Sequence, residues 1–312
     1  MKPIVVAGSI NIDFVAEAMR IPLPGETIAG RCFETHYGGK GANQAYAVAR
    51  LRHRAVMIGA VGSDSFGEQM RGNLADAGVD CTAVERVEGN SGAALIARSA
   101  RGENSIIVVA GANMQVKRER ILRHRALIEN SALLLVQLEI PMDGVACAIE
   151  IAKRSHVPVV LDPAPAVALS RELLGQVEWL TPNETEAGIL LGISSSDAAL
   201  DPAETAMALR ALGARNVALK LGARGVFLSG ASVAPVLVPG IPVRALDTTA
   251  AGDTFNAAFA QKLTMGATPI EAAAYANHAA AISVTRAGAQ TSIPSAEEID
   301  ALLSNTTVPV NG

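Results

Sequence analysis

The stretch AVMIGAVGSDSFGEQMRGNLADAG, residues 55–78, contains the pattern that decides the fold class. Its first eight residues form a short aliphatic run of the kind found in strands buried on both faces of a parallel sheet. After this run, Phe66, Met70, Leu74 and Ala77 recur at intervals of three or four residues, which is the spacing of one helix face. The stretch therefore predicts a buried strand followed by an amphipathic helix.

The same alternation continues through the rest of the chain. Aliphatic runs that predict buried strands occupy residues 4–8, 133–140, 157–163, 178–183 and 216–222, and segments with helical spacing lie between them. Strands that alternate with helices indicate βαβ units, and hence an α/β fold with a doubly wound, mostly parallel sheet. The composition agrees, because 50% of the 312 residues are hydrophobic and only 3% are aromatic.

Two segments, residues 14–37 and 92–109, lack long helical patterns. They contain FVAEAMRI, TIAGRCFETHY, AALIARSA and NSIIVVA, which predict antiparallel strands. We expect them to form a small β-sheet that covers the strand ends of a main domain as a lid and excludes water. Residues 1–13, 38–91 and 110–312 would then form the main domain. The alternative is that both segments are ordinary edge strands.

Charge and cysteine content exclude several classes of protein. The net charge is −4 and no basic stretch alternates with aromatic residues, so we expect no nucleic-acid partner. No apolar run approaches the length of a membrane span, and the N-terminus does not resemble a signal peptide, so we expect no membrane association. Cys32, Cys81 and Cys147 lie far apart in the sequence, which indicates reduced thiols and a cytoplasmic location.

The common phosphate-binding motifs are missing. No GxxxxGK[ST] occurs, and GGKGANQA (residues 38–45) lacks the third glycine of GxGxxG and the acidic residue expected about twenty positions later. Instead, polar residues follow the predicted strands, where α/β sheets bind ligands. These residues are Asn11, Asp13, Gln137, Glu139, Asp162, Asn183, Glu186 and Asp247.

The segment DTTAAGDTFN, residues 247–256, predicts an anion site at the start of a helix. The first amides of a helix are unpaired and carry partial positive charge, and the small residues Ala250, Ala251 and Gly252 would let a phosphate reach them. Asp253 would stand at the rim of this pocket, where it could accept a proton from a hydroxyl group directed at the phosphate. The alternative, compatible with this role, is that Asp253 caps the helix.

Two further segments suit a nucleotide and its metal ion. In TPNETE (residues 181–186), Asn183 and Glu186 follow a strand and suit a magnesium ion that retains most of its waters, or else form a capping box. KLGARG (residues 220–225) predicts a glycine-containing turn between two strands, which could approach a nucleotide or could be a simple hairpin.

GGKGANQA suits a small polyhydroxylated ligand. Its glycines allow close approach of the backbone, and Lys40 and Asn43 supply hydrogen-bond donors. Together with Asn11, Asp13 and Glu139 they form a polar set that would discriminate between sugars, because a missing hydroxyl leaves buried groups unpaired.

Several of these segments together resemble the ribokinase family of carbohydrate kinases. GSINID, GGKGANQA, TPNETE, LGARG, DTTAAGDTF and VTRAGAQTSIP occur in the order and approximate spacing of that family, over about residues 4–302. The resemblance implies a three-layer α/β fold with a β-sheet lid that often serves as a dimer interface. It also implies ATP-dependent phosphorylation of a sugar, with D-ribose phosphorylated at its 5-hydroxyl group as the closest match, and Mg²⁺ and potassium as the metal ions.

The resemblance further implies a role for individual residues. Asp253 is the expected base, and Ala250, Ala251 and Gly252 are the expected anion hole. Sugar contacts are expected from Asn11, Asp13, Gly39, Lys40, Asn43 and Glu139. Nucleotide contacts are expected from Asn183, Lys220, Gly222, Gly225 and Gly252, with magnesium near Glu186. The expected monovalent-cation loop comprises Asp247, Thr249, Ser283, Arg286, Gly288 and Ser292.

This sequence departs from the family pattern at Lys220, where threonine is common beside the nucleotide. The resemblance therefore does not decide whether residue 220 contacts a phosphate. A kinase for another sugar or nucleoside, such as deoxyribose, is the nearest alternative. A sugar-binding protein without catalytic activity is the alternative from a different class.

Overall fold

The computed structural model describes residues 1–101, 103–193 and 201–306, and within them the chain forms two β-sheets. The strands are β1 (Ile4–Ala7), β2 (Asn11–Ala18), β3 (Gly30–Gly38), β4 (Ala55–Gly62), β5 (Asp80–Val87), β6 (Gly92–Ser99), β7 (Asn104–Val109), β8 (Leu133–Val136), β9 (Val159–Leu161), β10 (Trp179–Leu180), β11 (Asn216–Lys220), β12 (Gly225–Gly230) and β13 (Val236–Pro239).

Helices alternate with most of the strands. The α-helices are α1 (Lys40–Arg50), α2 (Ser65–Asp76), α3 (Arg118–Arg123), α4 (Arg125–Glu129), α5 (Met142–Arg154), α6 (Arg171–Leu174), α7 (Glu184–Leu190), α8 (Pro202–Ala211), α9 (Ala251–Thr264), α10 (Pro269–Ser283) and α11 (Ala296–Thr306). Short 3₁₀ helices occupy Gly111–Gln115, Gly222–Arg224 and Gln290–Ser292.

The main sheet has nine strands in the order β13-β12-β11-β10-β9-β8-β1-β4-β5. The strands from β11 to β5 in this order are parallel to their neighbours, whereas β12 and β13 are antiparallel. From β1 the chain first proceeds to β4 and β5 on one side, and later adds β8 and the following strands on the other side. The topological switch point therefore lies between β1 and β8, where sheets of this kind bind their ligands.

The main sheet is buried between two layers of helices, which confirms the predicted three-layer, doubly wound fold. Alternate residues of β1 belong to different cores, since Ile4 and Val6 pack with one hydrophobic cluster and Val5 and Ala7 with the other. Residues of α1, α2, α9, α10 and α11 belong to the first cluster, and residues of α3 to α8 belong to the second. Burial on both faces explains why the strand sequences are continuous aliphatic runs rather than alternating patterns.

The small sheet has four strands in the order β3-β2-β6-β7, which cover both segments that lack helical patterns, although β2 begins at Asn11 and β3 ends at Gly38, just outside the predicted range 14–37. The prediction that these strands are all antiparallel is wrong for one pair. β2 pairs with β3, and β6 with β7, in antiparallel fashion, but β2 and β6 are parallel. The chain reaches β6 only after passing through the main sheet, so both strands leave it in the same direction.

Several strands are shorter than the aliphatic runs that predict them. The run at residues 133–140 contains only β8, and the run at residues 157–163 contains only β9. The shortened ends carry Gln137 and Asp162, whose buried side chains hydrogen-bond to other polar side chains. The strands β5 and β13, at the two edges of the main sheet, were not predicted, because DCTAVERV is not a continuous aliphatic run and the aliphatic residues of β13 are only three, between two prolines.

Residues 102, 194–200 and 307–312, which the predicted division assigns to the small sheet or to the main domain, lie outside the described residues. No helix within the described ranges is both long enough and apolar enough to cross a membrane.

The aromatic cluster at the centre of α9 provides a test of the core. Phe259 is fully buried, its ring meets that of Trp179 edge-on at a centroid distance of 5.0 Å, and it stacks on Phe255 at 5.7 Å. We expect Phe259→Ala to lower the free energy of unfolding by about 3–5 kcal/mol, because the substitution leaves a cavity. Urea denaturation followed by circular dichroism measures this change.

Phe33→Ala is the matched control, because Phe33 is 67% exposed on the small sheet. Its ring stacks on that of Phe14 at 6.3 Å, so we expect this variant to lose no more than about 1.5 kcal/mol, well below the loss for Phe259→Ala. Equal losses of stability in the two variants would contradict the assignment of Phe259 to the core.

Candidate active site

Polar residues from several elements meet at the carboxyl ends of β1, β8 and β9, next to the first turns of α1 and α9. Glycine at position 41 allows this meeting, because a Cβ atom there would lie 2.6 Å from the backbone nitrogen of Ser9. The first turn of α1 therefore lies directly against the end of β1, at the switch point of the main sheet.

Asp253 lies in the first turn of α9 and is 5% exposed. Its Oδ2 accepts a hydrogen bond from Asn43 Nδ2 at 2.9 Å, and its Oδ1 accepts one from Gln44 Nε2 at 3.0 Å. Burial raises the pKa of Asp253 to about 6, although the positive charge of Lys40 acts to lower it. The carboxyl group is therefore able to accept a proton near neutral pH.

The start of α9 has the features of an anion site. Ala250 precedes the helix with φ of 58°, a left-handed conformation that is strained for alanine, and no side chain caps the helix at this residue. The Ala251 amide donates to the Thr248 carbonyl at 3.3 Å. Among the described residues, the amides of Gly252 and Asp253 have no hydrogen-bond acceptor. The alternative in which Asp253 caps the helix is therefore wrong.

A lysine approaches the same helix start from β11. A Cβ atom on Gly252 would lie 3.3 Å from Lys220 Nζ, so the ammonium group stands beside the free amides. Lys220 Nζ also forms an ion pair with Asp162 Oδ1 at 3.0 Å, in which both side chains are largely buried.

Gln44 links this ion pair to Asp253. Its Nε2 donates to Asp162 Oδ2 at 3.1 Å as well as to Asp253, and its Oε1 accepts from Gln137 Nε2 at 2.6 Å. The sequence pattern drew attention to Gln137 and Asp162 as strand-end residues but did not identify Gln44. The available signal was its position directly after Asn43 on the same helix.

Lys40 occupies the first position of α1, after Gly39, which has φ of 88°. Its backbone amide donates to Glu139 Oε2 at 3.1 Å, and the same carboxylate accepts from the hydroxyl group of Ser9. Burial opposes the ammonium form of Lys40, but nearby carboxylates, foremost Asp253, outweigh it and raise the pKa of Lys40. Ser9 was not identified from the sequence.

Asn11 and Asp13 enter the site from β2 of the small sheet. Asn11 Oδ1 accepts from Asn113 Nδ2 at 2.7 Å, and Asn113 Oδ1 in turn accepts from the Ile10 amide at 2.9 Å. Burial raises the pKa of Asp13 to about 6, and the charge of Glu139 acts in the same direction. Asn113, which fixes Asn11, lies in a 3₁₀ helix that the sequence pattern did not indicate.

Asn183 and Glu186 form a capping box at the start of α7, as one of the two interpretations of TPNETE predicts. The Glu186 amide donates to Asn183 Oδ1, and the Asn183 amide donates to Glu186 Oε2, both at 2.8 Å. Asn183 also forms a parallel bridge with Lys220. Burial raises the pKa of Glu186, although the charge of Lys220 opposes this. Capping therefore does not remove Glu186 from the neighbourhood of Lys220.

The turn after β11 contains the two glycines predicted to approach a nucleotide. Gly222 has φ of 58°, and a Cβ atom there would meet no described atom within 4 Å. Gly225 has φ of 98°, and a Cβ atom there would lie 2.2 Å from the Val238 carbonyl oxygen. The space beside Gly222 is thus open, whereas Gly225 is required by its contact with β13.

Asp247 joins the loop before α9 to the loop after α10. Its Oδ1 accepts from both the amide and the hydroxyl group of Thr249, and its Oδ2 accepts from the Gly288 amide at 3.0 Å. Burial opposes ionisation, but these hydrogen bonds prevail and lower the pKa of Asp247.

The other residues predicted for a cation loop occupy the same region. Ser283 and Ser292 are buried, and their hydroxyl groups donate to the carbonyls of Ala280 and Ala289. The Arg286 guanidinium pairs with Glu298, so its side chain is engaged elsewhere. In the described part of the chain, no three His, Cys, Asp or Glu side chains are grouped so that they could hold a metal ion.

Comparison with known proteins identifies relatives over nearly the whole chain. The family model described as pfkB family carbohydrate kinase matches residues 1–296. A ribokinase from Haemophilus influenzae is 43% identical over 298 residues, which cover 95% of this chain and 97% of the relative.

Solved structures have the same fold. The crystal structure of a ribokinase from Thermotoga maritima has a TM-score of 0.88 and 38% identity, covering 98% of this chain and 100% of that chain. The structure of Arabidopsis thaliana ribokinase complexed with ribose and ATP has a TM-score of 0.89 and 34% identity, covering 97% of this chain and 98% of that chain. Together with the family match, these similarities show that the chain belongs to the pfkB family of carbohydrate kinases.

Proposed function

We propose that this chain transfers the terminal phosphoryl group of ATP to the 5-hydroxyl group of D-ribose. The observation that carries the proposal is the buried Asp253 carboxylate directly beside amides that have no acceptor within the described residues. The relatives add support, because they include ribokinases and one of them was solved with ribose and ATP.

Asp253 acts as the general base in the proposed reaction. The proton of the 5-hydroxyl group moves to the Asp253 carboxylate while the sugar oxygen forms a bond to the γ-phosphorus. The bond between the γ-phosphorus and the oxygen bridging to the β-phosphate breaks, and ADP leaves. In the proposed anion hole of Ala250, Ala251 and Gly252, the free amide of Gly252 and the dipole of the helix start stabilise charge on the transferring group, while the Ala251 amide is held by the Thr248 carbonyl. The unpaired amide of Asp253 itself extends this hole.

The sugar is proposed to lie between the small sheet and the first turn of α1, so that residues 14–37 and 92–109 act as a lid over it. Asn11 and Asp13 are assigned to the hydroxyl groups at carbons 2 and 3. The buried Oδ1 atom of Asn43 has no partner among the described residues and is available to a sugar hydroxyl group. The full proposed set of sugar contacts is Asn11, Asp13, Gly39, Lys40, Asn43, Glu139 and Asp253.

The nucleotide is proposed to extend from the start of α9 across the turn after β11. Lys220 would contact the phosphates, because its ammonium group stands beside Gly252. Gly222 would allow close approach, since the space beside it is open. The proposed nucleotide contacts are Asn183, Lys220, Gly222, Gly225 and Gly252.

The donor atoms present fit a magnesium ion held through water. The charges of Asp253, Asp162, Glu139 and Glu186 all act on Lys40, so carboxylates outnumber ammonium groups in the crevice, which favours a cation that accompanies the polyphosphate. Glu186 is the proposed carboxylate for Mg²⁺, which retains several waters in such sites. When bound, the ion neutralises charge on the β- and γ-phosphates.

A monovalent cation, potassium, is proposed to occupy the loops joined by Asp247. The oxygen atoms of a carboxylate, hydroxyl groups and backbone carbonyls suit such an ion. Its position beside Thr248, which accepts from Ala251, would couple it to the anion hole. The proposed residues are Asp247, Thr249, Ser283, Arg286, Gly288 and Ser292.

We also propose a cytoplasmic homodimer that associates through the lid. Cys32, Cys81 and Cys147 are free thiols, as expected in a reducing compartment. The edge strand β7 exposes a row of apolar side chains that includes Ile107 and Val108, at 65% and 56% exposure. An unpaired apolar edge of this kind is a surface for pairing with another chain.

Substitution of the proposed base tests the mechanism. We expect Asp253→Asn to lower kcat by about two to four orders of magnitude, the scale of general-base catalysis, while ribose binding persists. Coupled assay of ADP release and calorimetric titration with ribose measure the two effects. Retained turnover in the variant would exclude Asp253 as the base.

The pH dependence of the parent is a second test of the base. Because burial raises the pKa of Asp253 to about 6, kcat/KM of the parent should fall as the pH decreases through that value.

A panel of pentoses, hexoses and nucleosides tests the substrate. We expect kcat/KM for 2-deoxyribose to be roughly tenfold to a hundredfold below that for D-ribose, because the missing hydroxyl leaves a buried polar group unpaired. A higher kcat/KM for deoxyribose would instead favour a deoxyribose kinase. Sugar binding without any turnover would favour a non-catalytic protein.

Assays in potassium and in a large organic cation test the proposed cation site, and we expect faster turnover in potassium.

Substitution on the edge strand tests the dimer. We expect Ile107→Lys to convert the dimer to a monomer, because it places a charge in the apolar contact. Size-exclusion chromatography with light scattering measures the mass. Leu237→Lys is the matched control, since Leu237 is 49% exposed on β13, at the edge of the main sheet, and this variant should stay dimeric. A monomeric parent chain at micromolar concentration would contradict the proposal.

A further inference from the structure

Gln44 is fully buried and has all the partners that a side-chain amide needs to be held in one orientation. Its Nε2 is 3.0 Å from Asp253 Oδ1 and 3.1 Å from Asp162 Oδ2, and its Oε1 is 2.6 Å from Gln137 Nε2. A side-chain amide offers two N–H donors, and an ionised carboxylate can only accept. The group that faces both carboxylates must therefore be the NH₂ group, and each of its hydrogens has one acceptor.

The second carboxylate in this arrangement is itself fixed. Asp162 is 2% exposed, and its other oxygen accepts from Lys220 Nζ at 3.0 Å. Lys220 Nζ lies beside Gly252 at the start of α9. A continuous series of hydrogen bonds thus runs from Lys220, at the phosphate end of the site, through Asp162 and Gln44 to Asp253.

We propose that Gln44 is a positioning residue that fixes the Asp253 carboxylate relative to the Lys220–Asp162 ion pair. The inference rests on the proposed function, in which Asp253 is the base and Lys220 meets the phosphates. Gln44 and Lys220 both contact Asp162. The proton acceptor and the phosphate contact are therefore held in place by the same fixed carboxylate.

The physical basis is the number of contacts that hold Asp253. Without the Gln44 amide, the Asp253 side chain keeps only the hydrogen bond from Asn43, and no donor bridges its carboxylate to that of Asp162. The two carboxylates then repel each other, and Asp253 is free to turn away from the sugar hydroxyl group. Small displacements of a catalytic group are costly, because the reaction requires close and aligned contact.

Gln44→Met tests this role, because methionine matches glutamine in length but has no N–H donor. We expect kcat to fall roughly ten- to a hundredfold, the cost of a misplaced catalytic group. KM for sugar and ATP should change less than about threefold, since Gln44 touches neither in the proposed complex. The matched control is Gln261→Met, a buried glutamine on α9 that donates to the Leu51 carbonyl, and this variant should retain the parent's kcat.

A double variant separates positioning from a merely structural effect. Because Gln44 acts through Asp253, adding Gln44→Met to Asp253→Asn should change the residual kcat less than about twofold. A further loss as large as that in the parent background, or a kcat for Gln44→Met equal to that of the Gln261→Met control, would overturn the proposal.

Crystal structures of the parent and of Gln44→Met provide a readout that needs no turnover. We expect the Asp253 carboxylate in the variant to rotate away from its parent position or to lose defined density. A carboxylate that superposes on the parent would overturn the positioning role whatever the substrate. Failure of the proposed function appears separately, as a parent chain that prefers another sugar, and the kinetic comparison is then made with that sugar.

Discussion

The close contact between the end of β1 and the first turn of α1 is the constraint on which the site depends. The chain has no room for a side chain at Gly41, because a Cβ atom there would lie within 2.7 Å of the backbone of both Gly8 and Ser9. The start of α1 is thereby held against the switch point of the main sheet. Consecutive residues of that helix, Asn43 and Gln44, then both reach the carboxylate of Asp253 on α9.

The electrostatics of the site follow from this packing. A buried carboxylate is costly unless it is hydrogen-bonded, and Asp253 has one amide donor on each oxygen. Neutral amides stabilise the charge without neutralising it, so burial still raises the pKa of Asp253 to about 6. The start of α9 is also polar without being strongly charged, since its free amides offer partial positive charge and the nearby Lys220 is paired with Asp162.

Much of the fold and part of the candidate site could be predicted from local pattern. The free amides at the start of α9 were predictable, because small residues in the first turn of a helix leave its amides open. TPNETE allowed two interpretations, and the capping box is present while Glu186 still lies among the charges near Lys220. Gln44 was not predictable, since its partners Asp162 and Asp253 are 118 and 209 residues away in the sequence. The parallel pairing of β2 and β6 was not predictable either, because pairing direction depends on the path of the chain between them.

The sequence by itself determined the α/β class, the positions of most buried strands and the start of α9, because hydrophobic periodicity and helix-start chemistry are local properties. Only the tertiary structure decided which strand ends meet and which oxygen of Asp253 each amide contacts. It also decided that Gly225 packs against β13 rather than facing open space. The physical reason is that hydrogen bonds and close backbone contacts act over a few ångströms in space. Residues more than a hundred positions apart become neighbours only when the two helix layers close on the sheet.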